Sequence, residues 1–339
     1  MISNERKVTV MSDLRGARTR TRAALAGWIL IGVFAGGVAI AAESPGGASA
    51  KTATPAAAPG VETFDTPERA AAAIVEAARA FDVSALRRML GAGGDEVIFV
   101  THDAQDRERA ASFAAQAAEK TRVAVDPKSG QKAVLFVGEE DWPFPVPMVK
   151  RSGRWLFDTK AGRRELMFRR IGANELDAIE VCRGYVEAQF EYALQPRPPY
   201  QVNQYAQKII STPGTHDGLA WQNADGSWAG PVGEHIAQAI EQGYQPGAEP
   251  YHGYYFKILK GQGPAARLGQ LNYVIKGAMI GGFALVAAPA EYGVTGFKTF
   301  MVSYDGVVYE KDLGAKTSEQ FKKMELFNPD KTWTVVPEY

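Results

Sequence analysis

The sequence predicts an α+β protein. Two observations carry that prediction: apolar residues at helical spacing open the ordered part and are followed by short Val- and Phe-rich strand runs, and one long amphipathic helix then precedes a second set of strand runs. At 339 residues the chain can bury two ordinary cores. Apolar residues make up 46% and charged residues 22%, the balance of a globular chain rather than a disordered one.

The first segment carries Arg6, Lys7, Arg15, Arg18, Arg20 and Arg22 against only Glu5 and Asp13. An uncharged stretch, AALAGWILIGVFAGGVAIAA, follows and closes on small residues at Ala39 and Ala41. That order is the layout of a signal peptide, with cleavage expected after Ala41 or Ala42. The stretch is also close to the ~20 residues that span a bilayer, so a signal anchor at 23–42 stays open. In either case the positive-inside rule places the remainder outside the cytoplasm, in the periplasm or beyond. Without this segment the chain holds about four more acids than bases, and no clustered bases suggest nucleic-acid binding. Contact with a membrane is expected only through an uncleaved N-terminal segment.

Residues 43–61 are rich in Ala, Pro, Gly and Ser and read as a flexible linker. FDTPERAAAAIVEAARAFD then opens a first α+β domain, at 62–160, with Asp65 or Thr66 as cap and Pro67 in the first helical turn. SALRRMLG reads as a second helix ending at Gly91, EVIFV as a strand and DRERAASFAAQAAEK as a third helix. TRVAVD, KAVLFVGE, FPVPMVKR and GRWLFDT are strands separated by sharp turns. Prolines 143, 145 and 147 remove donors at alternate positions, so EDWPFPVPMVK is an edge or a rigid extended segment.

The second domain, at 161–339, begins with RRELMFRRIGANELDAIEVCRGYVEAQFEYAL, a long amphipathic helix best defined from Asn174 to the proline-rich stop at Pro196. Leu176, Ile179, Cys182, Val186 and Phe190 fall on one helical stripe, which makes the single cysteine a buried apolar residue rather than a nucleophile. YAQKIISTPGTHDGLAWQNADGSWAG mixes a short helix with glycine-rich loop, and VGEHIAQAIEQGY is a helix. YHGYYFKILKGQG, LNYVIKGAMI, GGFALVAAPAE, TGFKTFMVSY and GVVYEKD are strands, with Asp305-Gly306 as a hairpin turn.

The order of elements in the first domain resembles the cone-shaped domains of the nuclear transport factor two (NTF2-like) superfamily. The helix and sheet of the second resemble pilin globular domains, although a domain and a linker stand between the apolar segment and the long helix. The strings FDTPERA, DWPFPVPMVK, GRWLFDTKAGRRE, RRIGANELDAIEVCRGYV, YAQKIISTPGTHDGLAW, PYHGYYFKIL and MIGGFALVAAPAEYGVTGFKTFMVSYDGVVYEKDLG resemble a family of exported bacterial proteins, DUF2950, from about Phe64 to Trp333. The resemblance implies export and no assigned activity or catalytic residues.

Motifs for familiar chemistries are missing. The four histidines, 102, 216, 235 and 252, include no short-spaced pair, so neither a metal nor a cofactor is expected. G-x-S-x-G, a phosphate loop and a dinucleotide fingerprint do not occur. No catalytic residue is assigned. A binding or assembly module of the envelope is the expectation, with an envelope protein or polysaccharide as partner. The alternative is a periplasmic carboxylate-dependent hydrolase using members of the set Glu291, Asp305, Glu310 and Asp312, or His252 with a carboxylate. Contact residues are expected among Trp142, Trp221, Tyr251, His252, Tyr254, Glu291 and Tyr292, since Tyr, Trp and His suit contacts that are partly apolar and partly polar. Strand alternation puts Tyr254 and Phe256 on one face and Tyr255 on the other, so part of this set is core. Pro289, Gly293 and Gly296 make APAEYGVTG a corner, with Glu291 and Tyr292 at its tip.

Overall fold

A computed structural model describes residues 60–99, 103–232 and 250–337. The expected signal segment, nearly all of the expected linker, His102, His235 and the helix expected in VGEHIAQAIEQGY lie outside the described residues.

The first helix, α1 (Pro67–Arg79), starts where the sequence places it: the Thr66 hydroxyl accepts from the Arg69 amide at 3.2 Å and Pro67 occupies the first turn. Asp82 caps α2 (Val83–Leu90) in the same way, and Gly91 ends it at a φ of 64°. EVIFV departs from expectation. Its first residues form a helical turn, α3 (Asp95–Ile98), because the glycines at 91, 93 and 94 fold the chain back and two acids then occupy a helical first turn. A short apolar run does not distinguish strand from helix by periodicity, and here the preceding turn decides.

After α4 (Asp103–Glu119) come five strands: β1 (Thr121–Val125), β2 (Lys132–Val137), β3 (Trp142–Pro143), β4 (Met148–Arg151) and β5 (Arg154–Phe157). They form an antiparallel sheet in the order β1-β2-β4-β5, with β3 also on β2. Pro143 closes the two-residue β3, and Pro145 and Pro147 fall between β3 and β4, where the chain bends without donating to a ladder. Ile74, Met89, Leu135 and Met148 are fully buried between helices and sheet.

The long helix α5 (Thr159–Tyr192) is continuous for 34 residues, beginning fifteen residues before Asn174. Its glycines at 162, 172 and 184 do not break it. The expected stripe is buried through Ile179, Cys182 and Val186, whereas Leu176 and Phe190 at its ends are exposed. Cys182 has no exposed surface, and burial pushes its thiol up to about 12. A buried thiol of this kind is inert.

Beyond α5, hairpins β6 (Pro196–Arg197) with β7 (Val202–Asn203) and β8 (Trp221–Gln222) with β9 (Trp228–Ala229) flank a loop. The short helix expected in YAQKII is absent. Those residues are irregular, tied by bridges from Tyr205 to Met279 and Ile210 to Ala220. The chain continues through β10 (Tyr254–Leu259), β11 (Gly261–Gln262), β12 (Leu271–Asn272), β13 (Val274–Ile275), β14 (Ala278–Met279), β15 (Ala284–Pro289), β16 (Lys298–Ser303), β17 (Val308–Asp312), α6 (Thr317–Lys323) and β18 (Thr334–Val335).

The second sheet is antiparallel in the order β10-β15-β16-β17-β18. Helix α5 packs on β15, β16 and β17, and α6 also reaches β15. All six residues of β15 are buried, which accounts for its unbroken apolar run ALVAAP. Alternation in β10 is as expected, with Tyr254 and Phe256 buried and Tyr255 half-buried. The fold is α+β, with EVIFV and YAQKII as departures from the order of elements read in the sequence. Element order alone does not establish membership of the NTF2-like or pilin superfamilies.

Candidate functional site

The corner after β15 is built from short hydrogen bonds. Glu291 accepts from the amides of Val294 (3.1 Å) and Thr295 (2.9 Å), while the Thr295 hydroxyl accepts from the Glu291 amide at 3.1 Å. Gly293 adopts a φ of 77°. Gly296 is needed for space instead: a Cβ there would lie 2.8 Å from Cζ of the Tyr254 ring. That ring is fully buried and its hydroxyl donates to the Lys298 carbonyl at 2.8 Å. Tyr254 is therefore a core residue, and its place among the expected contacts is corrected.

One turn of α5 holds this corner. The Asn174 amide donates to the Thr295 carbonyl at 2.9 Å, and Glu175 accepts the amides of Phe297 (2.8 Å) and Lys298 (3.0 Å). Two residues on, Asp177 bonds Nδ1 of His252. The string NELDAIE therefore explains itself: three polar side chains within about one helical turn anchor both the elbow and the turn before β10. Gly253 closes the junction, at a φ of 73° with room for no Cβ, since one would sit 2.6 Å from Cβ of Thr295. Its carbonyl accepts from the Ala290 amide at 2.9 Å.

Tyr251, His252, Glu291 and Tyr292 are thus brought onto adjacent turns. The rings of Tyr251 and His252 lie 4.2 Å apart. The hydrogen bond to Asp177 raises the His252 pKa above its usual value against the opposing effect of burial. Tyr292 donates to Asp312 at 3.2 Å and meets Phe297 edge-on at 5.5 Å, and its hydroxyl is pushed up by burial and by that carboxylate. Glu291 is exposed at the tip.

The other two expected contacts lie elsewhere. Trp142 is half-buried against the first core and donates to Glu140 at 3.0 Å. Trp221 stacks on His216 at 4.4 Å, with the Arg197 guanidinium 5.7 Å from its ring and 4.4 Å from that of Tyr192. Tyr192 donates to the His216 carbonyl at 2.8 Å. Nε of Arg197 is buried without a hydrogen-bond partner among the described residues.

Beside this cluster is a cleft of about 460 Å³ lined by Tyr192, Gln204, Tyr205, Lys208, Asp217 and Lys260, among others. Burial opposes ionisation of Asp217, yet hydrogen bonds from Lys208, the Thr212 amide and hydroxyl, and Thr215 outweigh it and hold the carboxyl at about 2. The sequence reading missed this cleft. STPGTHDG carried the signal, as threonines and an aspartate at turn spacing.

Three of the four carboxylates weighed for hydrolysis have structural partners. Asp305 accepts from Ser303 (3.0 Å) and the Val307 amide (3.2 Å) in the hairpin turn. Glu310 pairs with Lys298 at 3.3 Å, and Asp312 accepts from the Gly314 amide at 2.8 Å. Among the described residues no group of three or more His, Cys, Asp or Glu side chains is placed to hold a metal. No described helix is long and apolar enough to cross a membrane.

No curated protein and no solved structure matches the chain. One family model, described as protein of unknown function (DUF2950), matches residues 61–336. That span takes in both cores, the clamped corner and the aromatic cleft, and the chain belongs to the DUF2950 family.

Proposed function

We propose that this chain is an exported cell-envelope protein that works by binding, taking a polar saccharide or protein segment into the cleft beside Trp221. Support for export comes from the basic, apolar and small-residue order of the first 42 residues. The observation that carries the binding reading is the cluster of Tyr192, Arg197, His216 and Trp221, of which Tyr192 also lines the neighbouring cleft. Tyr, Trp and Arg are the side chains that supply most contact energy where a surface is partly desolvated.

Two measurements test this reading. Cell fractionation should place the protein in the envelope or periplasm; recovery in the cytoplasm refutes export. Tryptophan fluorescence of the full chain should respond to solubilised peptidoglycan or polysaccharide fragments, and Trp221→Ala should weaken binding at least tenfold. An unchanged affinity in that variant refutes the cleft as the binding site.

A second reading, a periplasmic hydrolase, has one observation in its favour. Asp177 orients an exposed histidine, as a carboxylate does for a general base. Turnover of the same fragments that vanishes in Asp177→Asn would support it; binding without turnover leaves the first reading standing.

A further inference from the structure

The first half of α5 carries Lys160, Arg163, Arg164 and Arg170, all exposed, around a second cleft of about 490 Å³. Phe99, Leu166 and Met167 supply its apolar lining. Among the described residues Glu96 is the only acid lining it, and it is occupied by Arg163, whose Nε donates to it at 2.6 Å. Lys160, Arg164 and Arg170 have no side-chain hydrogen bond or ion pair among the described residues. Elsewhere on the same helix cations are paired, Arg169 with Glu165 at 2.8 Å and Arg183 with Glu180 at 3.0 Å.

Concentrating like charge around one concavity is unfavourable without a counter-charge. The N-cap Asp158 accepts from the Ala161 amide at 3.1 Å, and the first turn that follows holds no acid. Arginine presents a planar fork of donors that suits phosphate oxygens, and lysine adds a mobile point charge. Along the helix, Lys160 and Arg164 are about 6 Å apart and Lys160 and Arg170 about 15 Å, at ~1.5 Å per residue. A single small anion does not span that distance.

We propose that this cleft is a binding site for a ligand carrying two or more phosphate groups, held by Lys160, Arg164 and Arg170 with its apolar part against Phe99 and Met167. It is independent of the Trp221 cleft, and neither proposal depends on the other.

The test titrates the full chain in nonionic detergent with inorganic tripolyphosphate, and separately with a short-chain cardiolipin, which carries two phosphates, or with dihexanoyl phosphatidylcholine. The expected result is saturable tripolyphosphate binding that weakens with salt and falls at least tenfold when Lys160, Arg164 and Arg170 are all changed to Gln. Glu96→Gln, which releases Arg163, should tighten it. A variant-sensitive response to the cardiolipin but not the choline lipid assigns the phosphates to a lipid headgroup; a response to tripolyphosphate alone assigns them to a soluble ligand. Equal binding by the triple variant, with its melting temperature unchanged, overturns the proposal. So does retention of poly-glutamate in preference to tripolyphosphate, which would make the surface an acidic-peptide site.

Discussion

The two halves of α5 treat their charged side chains in opposite ways. Around Asn174, Glu175 and Asp177 each polar group has a partner on another segment, and the junction is closed by glycines with no room for a methyl group. Around Lys160, Arg164 and Arg170 the charges face a cleft without partners among the described residues. Satisfied polar groups in a tight junction fix a fold, whereas unsatisfied charge around a concavity is available to a ligand. The contrast makes opposite predictions for substitutions less than four helical turns apart.

The largest effect is expected at Gly253. An alanine would be forced into a left-handed conformation and against Thr295, and these two costs together should destabilise the protein by about 3 kcal/mol. Chemical denaturation measures this, and a loss below about 1 kcal/mol would show the junction to be looser than its geometry implies. Gly296→Ala tests the other wall of the same junction and should cost about 2 kcal/mol, since the Tyr254 ring it meets is packed in the core. Glu175→Ala leaves the amides of Phe297 and Lys298 without their acceptor and should cost about 2 kcal/mol. Glu175→Gln keeps a carbonyl oxygen there and should restore part of that loss.

A smaller, pH-dependent effect is expected from Asp177 and His252. The folded pKa of His252 is raised, so the pair contributes fully below the unfolded value of about 6.5 and its contribution fades as pH rises through the folded value. Both side chains are substantially exposed, which limits the gain to roughly 1 kcal/mol or less. Denaturation of the wild type and Asp177→Asn at pH 5 and pH 9 should differ at the lower pH and converge at the higher. The smallest effect on stability belongs to Arg170→Gln, within about 0.5 kcal/mol, as for an exposed unpaired side chain. A large loss there would show that Arg170 has a structural role and would erase the contrast along the helix.

Much of the fold was legible because local rules govern it. Thr66, Asp82 and Gly91 mark helix ends through their own backbone and side-chain chemistry. β15 is recognised by a continuous apolar run and the β16–β17 turn by Asp305-Gly306. EVIFV was not legible, since a short apolar run suits a helical turn as well as a strand and the preceding glycine turn selects between them. Of the expected contact residues, Tyr251, His252, Glu291 and Tyr292 converge on adjacent turns, and Tyr254 joins the core. Sequence order gave no sign that Asp177 would meet His252, because 75 residues separate them.

The sequence by itself determined that the chain is α+β, that Cys182 is buried and that APAEYGVTG is a corner, because periodicity, capping and turn preferences act within a few residues. Only the tertiary structure decided which polar side chains find partners. Glu175 and Arg164 are both charged residues on one amphipathic helix, and nothing in their local sequence separates an anchor for a distant strand from an unpaired charge at a cleft. That difference depends on segments brought together from more than a hundred residues away, as Glu175 and Phe297 are.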